Sequence, residues 1–139
     1  MTLICLDSSV LIALEKGKIT PEHLRKKFPD AHFVTTAITV FEQAYGAYIL
    51  IKRGYKKKGE KILEGLREFK TYPLTAETAL LAAKISAELH TKGVTIEPKD
   101  LFIATICIQN RLELLTLNVK HFQPLIEYNL TIHNAQKLD

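Results

Sequence analysis

The chain has 139 residues, 47% of them apolar and 24% charged, which suits one ordinary globular domain with a hydrophobic core. The formal net charge of +4 is compatible with a polyanionic partner without requiring one. No apolar run reaches the roughly 18–20 residues of a membrane span, and the first apolar run lacks a basic region ahead of it and is broken by Asp7; this predicts a cytoplasmic protein without a signal peptide.

Residues 3–6 (LICL) are apolar without alternation, the pattern of a strand buried on both faces, and they run straight into Asp7. Ser8 or Ser9 is placed to cap a helix reaching about Glu15, where Gly17 stops it. Thr20-Pro21-Glu22 opens a short basic helix that ends near Phe28 and Pro29. Residues 33–36 read as a second strand. A long helix follows over residues 37–52, with Val40, Ala44, Ala47, Tyr48 and Ile51 on one apolar face. A second amphipathic helix covers residues 56–69, which makes a helical hairpin.

Tyr72-Pro73-Leu74 is a short extended piece, and residues 76–91 form a helix ended by Gly93. Pro98 opens a helix to about Asn110 that is apolar nearly all round and therefore covered on both sides. Residues 114–117 and 130–133 read as the last two strands. Strands alternating with helices predict a three-layer α/β/α fold with a central parallel sheet of four or five strands, the hairpin being an insertion. Residues 1–139 are expected to form a single domain. Cys5 and Cys107 lie in apolar segments at no metal-ligand spacing and are expected to be buried and reduced.

In such folds ligands gather at the carboxyl edge of the sheet. Asp7 follows the first strand, Glu42 lies in the first turns of the long helix, Asp100 in the first turn of the helix from Pro98, and Asn118 after the strand at 114–117. All four are placed to converge on that edge. Each has a plainer role open to it: Asp7 as a helix cap, Asp100 as a dipole-complementing acid, Glu42 as a solvated helix residue. Three carboxylates in one pocket repel one another unless a cation offsets them. An oxygen-only set favours a hard ion such as Mg²⁺ or Mn²⁺, and such ions suit phosphodiester hydrolysis. Gly46, one turn after Glu42, is expected to allow something to approach closely.

LDSSVLIALEKG, ITVFEQAYGA and PKDLFIATICIQNRLELLTLNVKHF, in this order, make the chain resemble a PIN domain, specifically the VapC-type toxins of prokaryotic toxin–antitoxin pairs. The combination of D-x-x-I-A at Asp100 with L-x-T-x-N-x-x-x-F from Leu114 to Phe122 carries most of that likeness. The resemblance implies a metal-dependent endoribonuclease, with Mg²⁺ or Mn²⁺ held by Asp7, Glu42 and Asp100. Asn118 stands where the fullest family pattern has a fourth acid, which leaves the number of metals open, and Ser9 and Thr116 take supporting places. It also implies an RNA substrate, a VapB-like antitoxin bound near the hairpin and early helices, and a homodimer. An RNA-processing nuclease without an antitoxin, and a PIN-like module that binds RNA or a partner with little cleavage, are the alternatives.

Other residues are weighed beside these. Glu97 is expected to serve as a helix-start acid, Lys120 and His121 as an exposed pair or a phosphate contact, and His23, His32, His90 and His133 as surface or packing residues. Lys52, Arg53, Lys56, Lys57, Lys58 and Lys61 form the most basic stretch, a solvated face in the usual case. Phe41, Tyr45, Tyr48, Ile49 and Tyr55 exceed what a free surface needs, which is compatible with a partner.

Overall fold

β1 (Thr2–Leu6) is the middle strand of a five-stranded, wholly parallel sheet ordered β3-β2-β1-β4-β5. The other strands are β2 (Ala31–Thr36), β3 (Thr71–Tyr72), β4 (Glu113–Thr116) and β5 (Ile132–Asn134). The computed structural model describes residues 1–138. Along β1, Leu3 and Cys5 join one apolar cluster while Ile4 and Leu6 join the other. Both faces are covered, which is why the sequence of this strand does not alternate.

One cluster is completed by α5 (Ala76–Thr91) and α6 (Pro98–Asn110), through Ala82, Ile85, Leu89, Leu101 and Ile103. The other is completed by α1 (Ser8–Glu15) and α2 (Pro21–Lys27), through Val10, Ala13 and Leu24. The predicted three-layer α/β/α arrangement is thus found, with five strands. Between β2 and β3, α3 (Ala37–Lys52) and α4 (Lys56–Arg67) form the inserted hairpin. After β4 come a one-turn helix, α7 (Val119–Phe122), and a 3-10 segment (Gln123–Tyr128). Sequence neighbours of β1 lie on one side and the late strands on the other, so a crevice opens at the carboxyl ends of β1 and β4.

Several local expectations are corrected. Asp7, rather than Ser8 or Ser9, caps α1, its carboxylate accepting from the Val10 amide at 3.2 Å. A carboxylate already placed at the strand end reaches the third amide, and the serines are free for other partners. Tyr48 is 56% exposed instead of lying on the buried face of α3. A Cβ on Gly46 would meet nothing of this chain within 4 Å, so the space beside Gly46 is open. The tight contact is at Gly59, where a Cβ would lie 2.6 Å from the Ala47 carbonyl oxygen and 2.5 Å from Ile51 Cγ1. α4 ends at Arg67, before Phe69, and the last strand starts at Ile132 instead of Leu130.

Cys5 and Cys107 are buried and unbridged. The neighbouring Cys5 and then burial hold the Cys107 thiol well above its ordinary range, which disfavours its thiolate.

Candidate active site

The site begins where β1 stops. Asp7 is 4% exposed, a buried carboxylate without a cation within ion-pair distance. It is held instead by neutral dipoles: Ser9 donates to Oδ1 at 2.6 Å, Thr116 donates to Oδ2 at 2.5 Å, and the Val10 amide completes the set. Burial raises its pKa above the ordinary value of 3.8, and these hydrogen bonds pull the other way without cancelling it.

The hydroxyls are themselves locked. Ser9 Oγ accepts from the Leu117 amide at 3.0 Å, and Thr116 Oγ1 accepts from the Asn118 amide at 2.9 Å. The turn after β4 is therefore tied to the turn after β1. Ser9 and Thr116 are thus neighbours of Asp7, and each donates to one oxygen of its carboxylate.

Glu42 comes from the second turn of α3. Its Oε1 accepts from Ser8 Oγ at 2.9 Å, and Lys99 Nζ stands 3.9 Å from Oε2. Asp100 comes from the first turn of α6, where Glu97 is the cap and accepts from the Asp100 amide at 3.1 Å. Glu97 thus does the helix-start work expected of it. His121 Nδ1 lies 3.4 Å from Asp100 Oδ2. Burial raises the Asp100 pKa; the charge of Glu97 adds to this, His121 lowers it, and Glu42 and Asp7 raise it further. That Asp100 feels both Glu42 and Asp7 brings the three acids into one electrostatic neighbourhood. Asn118 is the exposed first residue of the turn into α7 and enters through its backbone amide rather than through a described side-chain bond.

Lys99 was not singled out by sequence reasoning. The clue available was a lysine in the first turn of a helix, where a cation opposes the helix dipole.

Whether these groups suit a metal can be judged from their chemistry. All are oxygen donors, the arrangement chosen by hard ions. Among the described residues, no three His, Cys, Asp or Glu side chains are close enough to chelate one ion directly. Mg²⁺ commonly takes one or two carboxylates and keeps several waters, and an open cluster of mutually repelling carboxylates fits that mode. It does not fit a closed all-protein cage.

Away from the acids, a groove of about 480 Å³ runs between α1, α3 and α4. Leu11, Leu14, Ile62, Leu66 and Phe69 line it, with Lys58, Lys61, Glu15 and Glu68 also on its walls. Elsewhere Phe41, Tyr45 and Tyr48 are each more than half exposed, and Phe41 stacks on Tyr45 with ring centroids 6.3 Å apart. His133 bonds Glu113 at 2.7 Å and packs edge-on against Phe28, as expected of a packing residue.

Known proteins carry the same design. Ribonuclease VapC1 of Methanocaldococcus jannaschii is 33% identical, the match covering 94% of this chain and 87% of that one. Ribonuclease VapC of Rickettsia bellii is 30% identical over 87% of this chain and 89% of its own length. The crystal structure of DNA-bound VapBC from Salmonella typhimurium superposes with a TM-score of 0.78 at 26% identity, covering 96% of this chain and 98% of that one. The PIN domain profile matches residues 4–123, a span that holds β1, the hairpin, α6 and the turn after β4. With Asp7, Glu42, Asp100 and Asn118 all inside that span, the chain belongs to the PIN domain family.

Proposed function

We propose that this protein is an endoribonuclease, the toxin of a VapBC-type toxin–antitoxin pair, and that it requires Mg²⁺ or Mn²⁺. The observation that carries the reading is Asp7: a buried, cation-free carboxylate at the switch point of a parallel sheet, electrostatically coupled to Asp100. Capping α1 uses only the bond from the Val10 amide, whereas the two further hydroxyl bonds fix both oxygens of the carboxylate at the sheet edge. The ribonuclease VapC relatives support the same activity.

In this reading Asp7, Glu42 and Asp100 would hold the ion, one or two of them directly and the rest through its waters, and the Asn118 carboxamide would complete the site or orient a water. The ion, when bound, activates a water for attack on a phosphodiester and offsets charge on the leaving oxygen. The remaining tasks belong to the chain. Ser9 and Thr116 hold the Asp7 carboxylate in one orientation, and their own ties to the Leu117 and Asn118 amides keep that orientation when substrate binds. Ser8 does the same for Glu42. Single-stranded RNA is the substrate, and the cytoplasm the place of action; among the described residues no helix is long and apolar enough to cross a membrane.

A VapB-like antitoxin is the partner. The VapBC structure among the neighbours supports it, and the groove between α1, α3 and α4 has the apolar floor and charged walls that an amphipathic segment needs. A homodimer accounts for the exposed Phe41, Tyr45 and Tyr48. The groove also favours the toxin over an RNA-processing enzyme that acts alone.

The decisive experiment incubates the purified protein with total RNA in Mg²⁺, Mn²⁺ or chelator, beside Asp7→Asn. Cleavage by the wild type that stops with chelator and with the variant is expected. Equal cleavage by folded Asp7→Asn would sink the assignment of the site.

A further inference from the structure

We propose that Lys99 and His121 are phosphate-binding residues on the solvent side of the acidic site, gripping the RNA backbone next to the bond that is cut. The inference rests on the ribonuclease reading and adds substrate contacts to it. The outer carboxylates each have a nitrogen donor beside them, Lys99 at Glu42 and His121 at Asp100, whereas the deep carboxylate, Asp7, is held by hydroxyls and an amide. Lys99 is 50% exposed and His121 59% exposed, while Glu42 and Asp100 are 28% and 24% exposed. The nitrogen donors therefore form the rim and the acids the floor.

Neither rim residue is explained by stability. Exposed ion pairs contribute little, and Lys99 at 3.9 Å from Glu42 is beyond hydrogen-bond reach. Lys99 also lies in the first turn of α6, where the helix dipole disfavours a cation and where Glu97 already supplies the cap. A polyanion approaching three carboxylates is repelled unless positive or donor groups meet it first. Lys99 and His121 sit where that meeting occurs, and exposed Lys120 extends the same segment. Their loose hold on Glu42 and Asp100 lets them exchange a carboxylate for a phosphate oxygen when a divalent ion occupies the acids.

The test measures binding of a short random-sequence single-stranded RNA by fluorescence anisotropy, in Mg²⁺ and across a range of KCl concentrations. Asp7→Asn protein serves as the cleavage-deficient parent. Adding Lys99→Gln is expected to weaken binding about tenfold, the scale of a lost charge-assisted bond, and to flatten the slope of log K against log salt by about 0.7, one phosphate contact to a single strand. Lys99→Arg restores the slope, and His121→Gln weakens binding at every salt concentration. Unchanged affinity and slope in Lys99→Gln would overturn the inference. So would tighter Mg²⁺ binding in that variant with RNA binding unaltered, since Lys99 would then be only a counter-charge to Glu42. A parent that binds no RNA overturns it as well. Should wild-type protein cut no RNA with any divalent ion while Lys99→Gln still flattens the slope, the nuclease reading fails and the phosphate contacts stand.

Discussion

Asp7 and Asp100 are both aspartates at the start of a helix, and both have raised pKa values, yet for different reasons. Asp7 is sealed at the end of β1, and its ionised form is favoured by the Ser9 and Thr116 hydroxyls and the Val10 and Ser9 amides. Asp100 is half-buried at the start of α6, and its titration is governed by burial and then by charges: Glu97, His121, Glu42 and Asp7 in turn. The first acid depends on dipoles placed in advance by the fold. The second depends on the net charge of its surroundings. A site built this way holds one carboxylate rigidly and lets the other adjust.

The comparison is broken most severely at Asp7. Asp7→Asn is expected to lower RNA cleavage by about 10²–10³-fold, the scale on which a preorganised electrostatic group acts, in a cleavage assay with Mg²⁺. Asp100→Asn and Glu42→Gln are expected to lose about 10–100-fold, with part of the loss regained at higher Mg²⁺ because the outer acids act chiefly by charge. Equal losses at all three positions, unrelieved by metal, would erase the distinction between inner and outer acids.

Thr116→Val isolates the dipole contribution. The variant removes the donor to Asp7 Oδ2 and the acceptor of the Asn118 amide. It should cost about 1–2 kcal/mol in denaturant unfolding and reduce cleavage about tenfold. The smallest effect is on stability against pH, measured with chelator present. Because the folded pKa of Asp7 is raised, its contribution to stability is fully present below 3.8 and is lost as pH rises through the folded value. Asp7→Asn should therefore be more stable than wild type at neutral pH, with the advantage vanishing in acid. An advantage that grew on acidification would contradict the burial of an ionised Asp7.

The elements that announced themselves were those with one dominant physical cause. Residues 3–6 lack alternation because both faces of β1 are covered, and the helix from Pro98 is apolar all round because α6 packs between α5 and the sheet cluster. Asp7 and Asp100 were legible because one ends the apolar run of β1 and the other opens the apolar helix α6, and Glu42 because it lies in the first turns of the helix that follows β2. What stayed hidden were choices among near-equal neighbours. Ser8, Ser9 and Asp7 all qualify as caps by type, and only the direction of the chain leaving β1 decides for Asp7. Tyr48 shares its helical face with Ala44 and Ala47, yet α4 covers α3 through Gly59 against Ala47 and leaves Tyr48 in solvent. Gly46 and Gly59 look equivalent in the sequence, and the packing of the hairpin alone separates them. Lys99 has no mark in the sequence, and only the fold brings it to Glu42 and the already weighed His121 to Asp100.

The bond from Thr116 to Asp7 joins residues 109 positions apart. Asp7 leaves the ribosome 109 residues ahead of Thr116. A growing chain therefore carries its principal acid long before it carries the hydroxyl that aims it. A chain that stops short of β4 lacks the hydroxyl that bonds Asp7 Oδ2 and keeps only the local bonds from Ser9 and Val10.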